Sequence, residues 1–257
     1  MSISLANKII FITGASSGIG AATAHAFATH KTRLLIAARR KEKLEALKPQ
    51  LLEAGAGGVH TVELDVRDHT AVEKAIGSLP AAWQAIDILV NNAGLSRGLD
   101  LLHEGHREDW EEMIDTNVKG LLYVTRAVVP GMIARKSGHI ISLGSTAGHV
   151  TYPKGAVYCA TKAAERVISE GLRQDVLGTP IRVTSVDPGM VETEFSEVRF
   201  RGDQARAAKV YQGLTPLKPE DVAEAIVWAA TRPAHVNIAE VQITSIDQAN
   251  SLLFNRK

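Results

Sequence analysis

The sequence runs to 257 residues, with 29 basic and 28 acidic side chains, a formal charge of +1, 45% hydrophobic residues and a single cysteine. That length suits one α/β domain with a sizeable core, and the balanced charge argues against a dedicated nucleic-acid binder. The lone Cys159 excludes an internal disulfide or a Cys-rich zinc site, no apolar run approaches the roughly 18 residues of a membrane span, and the opening residues lack a secretory pattern, so a reduced, cytoplasmic protein without a membrane partner is expected.

Lys8–Thr13 is an apolar, β-branched run and reads as the first strand. It leads into Thr13-Gly14-Ala15-Ser16-Ser17-Gly18-Ile19-Gly20 and an Ala-rich helix over Gly20–His30. A loop spaced G-x-x-x-G-x-G can turn tightly and approach a pyrophosphate through its backbone N–H groups. It also starts a helix whose positive end faces the phosphates. Gly14, Gly18, Ile19 and Gly20 belong to that cradle, with Ser16 and Ser17 as hydroxyl donors. A plain glycine-rich turn is the competing reading, and the strand–loop–helix context argues against it.

The second strand, Arg33–Ala37, ends in Ala38-Arg39-Arg40. An NAD site usually places a carboxylate there for the ribose 2′-hydroxyl, and this chain has Ala38 instead. Arg39 and Arg40 suit forked binding of a 2′-phosphate, so NADP(H) is the expected dinucleotide. The alternative is that both arginines simply open the charged helix Arg40–Ala54. The third strand, Val59–Leu64, runs into Asp65-Val66, where the carboxylate can accept from an adenine amino group. Asp65 could instead cap a helix, although Asp68 is better placed to cap Ala71–Ser78.

The fourth strand, Ile86–Asn91, is followed by Asn92-Ala93-Gly94, small residues that let backbone lie against an adenosine ribose. Asparagines at strand ends are also common turn formers. A long amphipathic stretch, Asp109–Arg135, carries Asn117, and the fifth strand, His139–Leu143, ends at Gly144-Ser145. The next helix, Val157–Leu177, opens with Tyr158 and Lys162, four apart and therefore on one face. A phenol of pKa near 10 is a poor base at neutral pH, and lowering it by about 3 units takes about 4 kcal/mol. A neighbouring ammonium and a positive nicotinamide ring are sources for that shift. A Tyr/Lys pair alone is usually helix surface. Ser145 gives it weight, because a hydroxyl at the carboxyl edge of an α/β sheet can hydrogen-bond a substrate carbonyl. Asn117 can hold a water behind Lys162 and relay protons.

The sixth strand, Ile181–Val186, precedes Pro188–Pro219, a long segment without clear periodicity that reads as a lid or binding loop. The helix Glu220–Thr231 and the strand Glu240–Ser245 complete the pattern. Strands alternating with helices, with no linker or repeat, predict one Rossmann-type α/β domain over 1–257, a doubly wound parallel sheet of about seven strands.

In order and spacing, Thr13–Gly20, Asp65, Asn91–Gly94, Asn117, Ser145, Tyr158/Lys162 and Pro188-Gly189 followed by Thr193 resemble the short-chain dehydrogenase/reductase family over the whole chain. The resemblance implies that Tyr158 is the general acid–base and that Lys162 lowers its pKa while holding the nicotinamide ribose. Ser145 would orient the carbonyl, and Asn117 would complete a proton relay. Pro188, Gly189, Val191 and Thr193 would fix the carboxamide. The family's usual basic residue before the second glycine is Ser17 here, which leaves the 2′-phosphate to Arg39, Arg40 and Ser16.

Leu79–Trp83, Glu108–Asn117, Val191–Asp203 and His235–Ile238 are more particularly similar to the NADP-dependent 3-hydroxy acid dehydrogenases, which include the serine and allo-threonine 3-dehydrogenases. That likeness implies a small hydroxy acid or carbonyl substrate, and the family's habits imply a homotetramer or homodimer. A carboxylate substrate needs a cation, for which Arg199, Arg201 and Arg97 are candidates, with an ordinary charged loop as the competing reading. A broad carbonyl or 3-oxoacyl reductase and a non-catalytic nucleotide sensor remain as alternatives. No metal is implied: His103 and His106 read as a hydrated helix start, and Cys159 as a small buried residue.

Overall fold

The computed structural model describes residues 3–257. β1 (Ile9–Thr13), β2 (Arg33–Ala38), β3 (Gly58–Glu63), β4 (Ile88–Asn91), β5 (Gly138–Leu143), β6 (Ile181–Pro188) and β7 (Glu240–Ile243) form one sheet of order β3-β2-β1-β4-β5-β6-β7. Every pairing is parallel, from Thr13 beside Ala37 to Pro188 beside Ile243. The strand order reverses between β1 and β4, which opens a crevice beyond their carboxyl ends.

The inner strands alternate their side chains between two apolar layers, which is why their runs look almost continuously hydrophobic. Ile10 and Ile12 of β1 join Leu34 and Ile36 of β2 beneath α1 (Gly18–Ala28), α2 (Lys41–Glu53) and α9 (Pro219–Ala230), with Phe27, Leu44 and Ile226 completing that layer. Ile9 and Phe11 point the other way with Leu35, Leu89 and Ile140. There they meet Val72 of α3 (His69–Gly77) and Val124, Val128 and Met132 of α5 (Leu121–Arg135). Full burial of each such side chain stabilises the fold by about 1.5–3 kcal/mol.

Two stretches depart from the expected pattern. The span read as one helix from Asp109 to Arg135 is α4 (Arg107–Ile114), a π-helical turn over Asp115–Gly120 that carries Asn117, and then α5. The segment read as an unpatterned loop contains α7 (Phe195–Arg199) and α8 (Gln204–Tyr211), the latter capped by Asp203 through Arg206 N at 3.0 Å. Its first part lies over α6 (Ala156–Asp175). Phe195 and Val198 pack there on a small apolar cluster of Leu95, Met113, Ala147, Tyr158 and Cys159.

Candidate active site

A cleft of about 720 Å³ runs along the carboxyl edge of the sheet, from Ser16 and Arg39 at one end to Ser145, Tyr158 and Lys162 at the other. At its centre the glycine loop meets the end of β4. Gly14 has φ +65, and a Cβ there would stand 2.9 Å from Ala93 Cα. Only glycine suits both demands. Asn92 clamps the loop by donating from Nδ2 to the carbonyls of Thr13 at 2.8 Å and Gly14 at 3.1 Å, while Asn91 turns away to Thr125 Oγ1 at 3.0 Å. Ser17 is the N-cap of α1, a helix with no acidic residue in its first turn, so its positive end faces the cleft uncompensated.

At the adenosine end, Arg40 donates to Ser16 Oγ at 3.0 and 3.2 Å and to Ser17 Oγ at 2.7 Å. It also pairs with Glu194 at 3.0 Å, and Lys43 reaches the same carboxylate at 2.9 Å. Arg39 lines the cleft and is exposed, with no ion pair among the described residues. Asp65 also lines the cleft. Its carboxylate is gripped by Arg67 at 2.6–3.0 Å; burial opposes its ionisation, but the bonds and charge of Arg67 hold it below the usual carboxylate range. Asp68, not Asp65, caps α3 through Ala71 N at 3.0 Å. Val66, Ala93 and Gly94 complete this wall. These residues fit a phosphorylated dinucleotide: a backbone cradle too tight for side chains, an unopposed helix N-terminus, and cations where a carboxylate would stand for an unphosphorylated ribose.

The opposite end brings together Ser145, Tyr158 and Lys162. Ser145 follows β5, accepts from Ala147 N at 3.1 Å and donates to Pro188 O at 3.4 Å. Tyr158 and Lys162 lie on the first turns of α6, both buried, with Lys162 Nζ donating to Leu143 O at 2.5 Å. Burial lowers the Lys162 pKa against the opposing charges of Glu165 and Asp187. Burial likewise pushes the Tyr158 phenol up to about 12. The influences lowering it are the Arg199 guanidinium first and the Ser145 hydroxyl second; Lys162, expected to lead, is not among the principal ones. Its ammonium is turned to a backbone carbonyl instead.

Asn117 is held from both sides of its amide. Its Oδ1 accepts from Leu95 N at 2.9 Å, and its Nδ2 donates to Leu95 O at 2.8 Å and Thr161 Oγ1 at 3.0 Å. Thr161 in turn donates to Tyr158 O at 2.8 Å. The amide therefore joins the segment after β4 to the helix bearing Tyr158, with both Nδ2 hydrogens used and one lone pair of Oδ1 left to accept from a water.

The segment after β6 crosses the cleft. Gly189 N bonds Ile243 O at 2.8 Å, Val191 bridges to Leu217, and the Thr193 methyl sits 3.3 Å from where a Cβ on Gly18 would be. The Phe195 ring meets Tyr158 edge-on at 5.6 Å, and the Arg199 guanidinium lies 5.2 Å from the Tyr158 ring centre. Arg199 donates to Ser96 Oγ at 2.9 Å and Tyr152 hydroxyl at 2.6 Å, both neutral. Arg201 is paired with Asp109, and Arg97 with Glu112 at 2.6 Å. Among the described residues Arg199 is thus the candidate cation with no acidic partner.

Sequence reasoning did not single out Lys43, Glu194, Ser96 or Tyr152, because their roles depend on contacts between distant segments. It also passed over a polar group behind Lys162. There, Glu165 Oε1 accepts from Ser169 Oγ at 3.1 Å and Ser185 Oγ at 3.5 Å, and Asp187 bonds both Ser185 and, at 2.6 Å, His149 Nε2. Glu240 lies 3.8 Å from the same histidine nitrogen.

Residues 8–204 match the family described as short chain dehydrogenase. The chain is 51% identical over 242 residues to an NADP-dependent 3-hydroxy acid dehydrogenase of Salmonella typhi, covering 94% of this chain and 96% of that protein. It is 42% identical over 240 residues to a serine 3-dehydrogenase of Agrobacterium fabrum, covering 93% and 94% respectively. Among solved structures, the closed form of a serine dehydrogenase complexed with NADP+ superposes with a TM-score of 0.91 at 48% identity, covering 95% of this chain and 97% of the other.

Proposed function

Because this chain belongs to the short-chain dehydrogenase family, we propose that it is an NADP-dependent oxidoreductase that moves hydride between nicotinamide and a small 3-hydroxy acid, or the corresponding carbonyl. The observation that carries this reading is the single cleft joining a phosphate cradle at Gly14–Gly20 to the Ser145, Tyr158 and Lys162 side chains. Gly94 stands between the two ends, with its missing Cβ position 3.3 Å from Asn117 Oδ1 and 3.8 Å from Lys162 Nζ.

NADP(H), when bound, supplies or accepts the hydride; the chain's own residues handle the proton and the geometry. Tyr158 is the proton donor to a carbonyl oxygen in reduction and its acceptor from an alcohol in oxidation. Protonated at neutral pH, the phenol suits reduction directly, whereas oxidation requires the phenolate that nearby cations favour. Ser145 holds the reacting oxygen from a strand end. Lys162, fixed by Leu143 O, supplies positive charge behind Tyr158, and Asn117 keeps α6 in place relative to Gly94. Arg199 recognises the substrate carboxylate, an assignment supported over Arg201 by its having no acidic partner among the described residues. Gly14, Gly18, Ile19, Gly20, Asp65, Val66, Asn92 and Ala93 form the coenzyme wall with Ser16, Ser17, Arg39 and Arg40, while Pro188, Gly189, Val191 and Thr193 flank the nicotinamide end. Residues 188–219 act as the lid of this single domain. No helix of the described residues is long and apolar enough to cross a membrane. A homotetramer or homodimer and a cytoplasmic location are part of the same proposal; Leu122 and Val167, exposed on the two long helices, are available to such a contact.

The test follows absorbance at 340 nm with NADP+ against serine, allo-threonine, 3-hydroxyisobutyrate, 3-hydroxybutyrate and neutral alcohols. Turnover of the hydroxy acids is expected. Tyr158→Phe should bind NADPH as the parent does and lose nearly all turnover; turnover near that of the parent overturns the assignment.

A further inference from the structure

The cation pair at the adenosine end already holds an anion made by the chain itself. Glu194 Oε2 accepts from Arg40 Nη1 at 3.0 Å and Oε1 from Lys43 Nζ at 2.9 Å. The same Arg40 is anchored by Ser16 Oγ and Ser17 Oγ on the glycine loop. Carboxylate, two cations and two hydroxyls thus make a small anion site in which Glu194 supplies the anion. The site lies just past Ala38, where β2 ends and the ribose 2′ position of a bound dinucleotide is expected. Glu194 is half-exposed at this wall and arrives from the far side of the cleft, on the segment that starts α7.

Resting on the NADP reading above, we propose that Glu194 is an internal counter-anion that the coenzyme's 2′-phosphate must displace from Arg40 and Lys43. This one carboxylate then sets how tightly the phosphorylated coenzyme is held. A phosphate monoester carries more negative charge than a carboxylate and has three strong acceptor oxygens, so it prevails at the pair. Its net gain is reduced by the two ion pairs it breaks. Glu194 is also joined by sequence to Thr193, which covers Gly18, and to Phe195, which covers Tyr158. Release of the carboxylate therefore frees one anchor of the segment that roofs both ends of the cleft, and the arrival of phosphate is felt beside the reacting group.

The experiment is calorimetric titration of the full-length protein and E194Q with 2′,5′-ADP and 5′-AMP, probes that differ only in the 2′-phosphate. Glutamine keeps the shape and an acceptor oxygen but removes the charge. E194Q should bind 2′,5′-ADP about fivefold tighter, the scale of losing two half-exposed ion pairs, with 5′-AMP binding unchanged. E194A should move in the same direction and guards against an effect peculiar to the amide. Unchanged or weaker 2′,5′-ADP binding by both variants, in a protein that still prefers 2′,5′-ADP to 5′-AMP, overturns the proposal and leaves the coenzyme assignment standing. A parent protein with no such preference overturns the coenzyme assignment and this proposal with it.

Discussion

Arg199 reaches two hydroxyls, lies against three aromatic rings and has no acidic partner among the described residues. A guanidinium so placed pulls the Tyr158 phenol toward ionisation, and under the proposed function it also offers a charge to a substrate carboxylate. Arg199→Ala should therefore raise KM for hydroxy acids by about tenfold or more, the scale of a lost charge-assisted hydrogen bond, with little effect on neutral ketones. Equal effects on both substrate classes remove Arg199 from substrate recognition. A second readout follows from the sign of the electrostatics. Removing a nearby cation raises the phenol pKa, so the rising, low-pH limb of the oxidation rate should move to higher pH in the variant. Tyr158, Lys162 and Ser145 were legible in the sequence because a short spacing and a strand end define them. The standing of Arg199 was not. It depends on Arg97 and Arg201 finding Glu112 and Asp109, partners 15 and 92 residues away in the chain.

At the scale of elements, α6 carries Tyr158 and Lys162 on its first turns and, one turn on, Glu165 beneath the sheet edge at 2% exposure. Burial drives the Glu165 carboxyl up to about 7, with Lys162 opposing and Asp187 reinforcing the shift. Because the folded value lies above the unfolded one, the neutral acid is the favoured folded form. Its contribution is complete below the ordinary carboxyl range and is lost as pH rises through about 7. Glu165→Gln should then come close to the parent in unfolding free energy near pH 5 and exceed it near pH 8, by up to about 3 kcal/mol, read as a higher melting temperature at pH 8. A constant difference across that range shows that the acid does not titrate in this window. The strands and most helices followed from periodicity, with ends shifted by a few residues. The π turn at Asp115–Gly120 did not, because its composition continues the flanking helical pattern. Nor did α7 and α8, at five and eight residues, which are too short and mixed in charge to establish a period. A buried glutamate gives no local signal at all, since only the fold decides which face of a helix is covered.

For the molecule as a whole, the reversal of strand order between β1 and β4 puts the glycine loop, the Asn92–Gly94 turn and the post-β6 segment around one crevice. A ligand filling it touches both halves of the sheet and stabilises them together. NADP+ at 100 times its dissociation constant should add about 2.7 kcal/mol to stability, raising the calorimetric melting temperature, with a smaller rise from NAD+ at the same concentration. An equal rise from both coenzymes argues against phosphate recognition by this crevice. One feature of that crevice also bears on anyone who would convert the protein to the cheaper, unphosphorylated coenzyme. Arg40 is stitched to the two serines of the glycine loop, the cradle proposed for the pyrophosphate, whereas Arg39 beside it has no ion pair among the described residues. Exchanging Arg40 would slacken the grip shared by both coenzymes and yield a poor enzyme with either. The productive route to altered preference leaves that tether intact and redesigns Ala38 and Arg39.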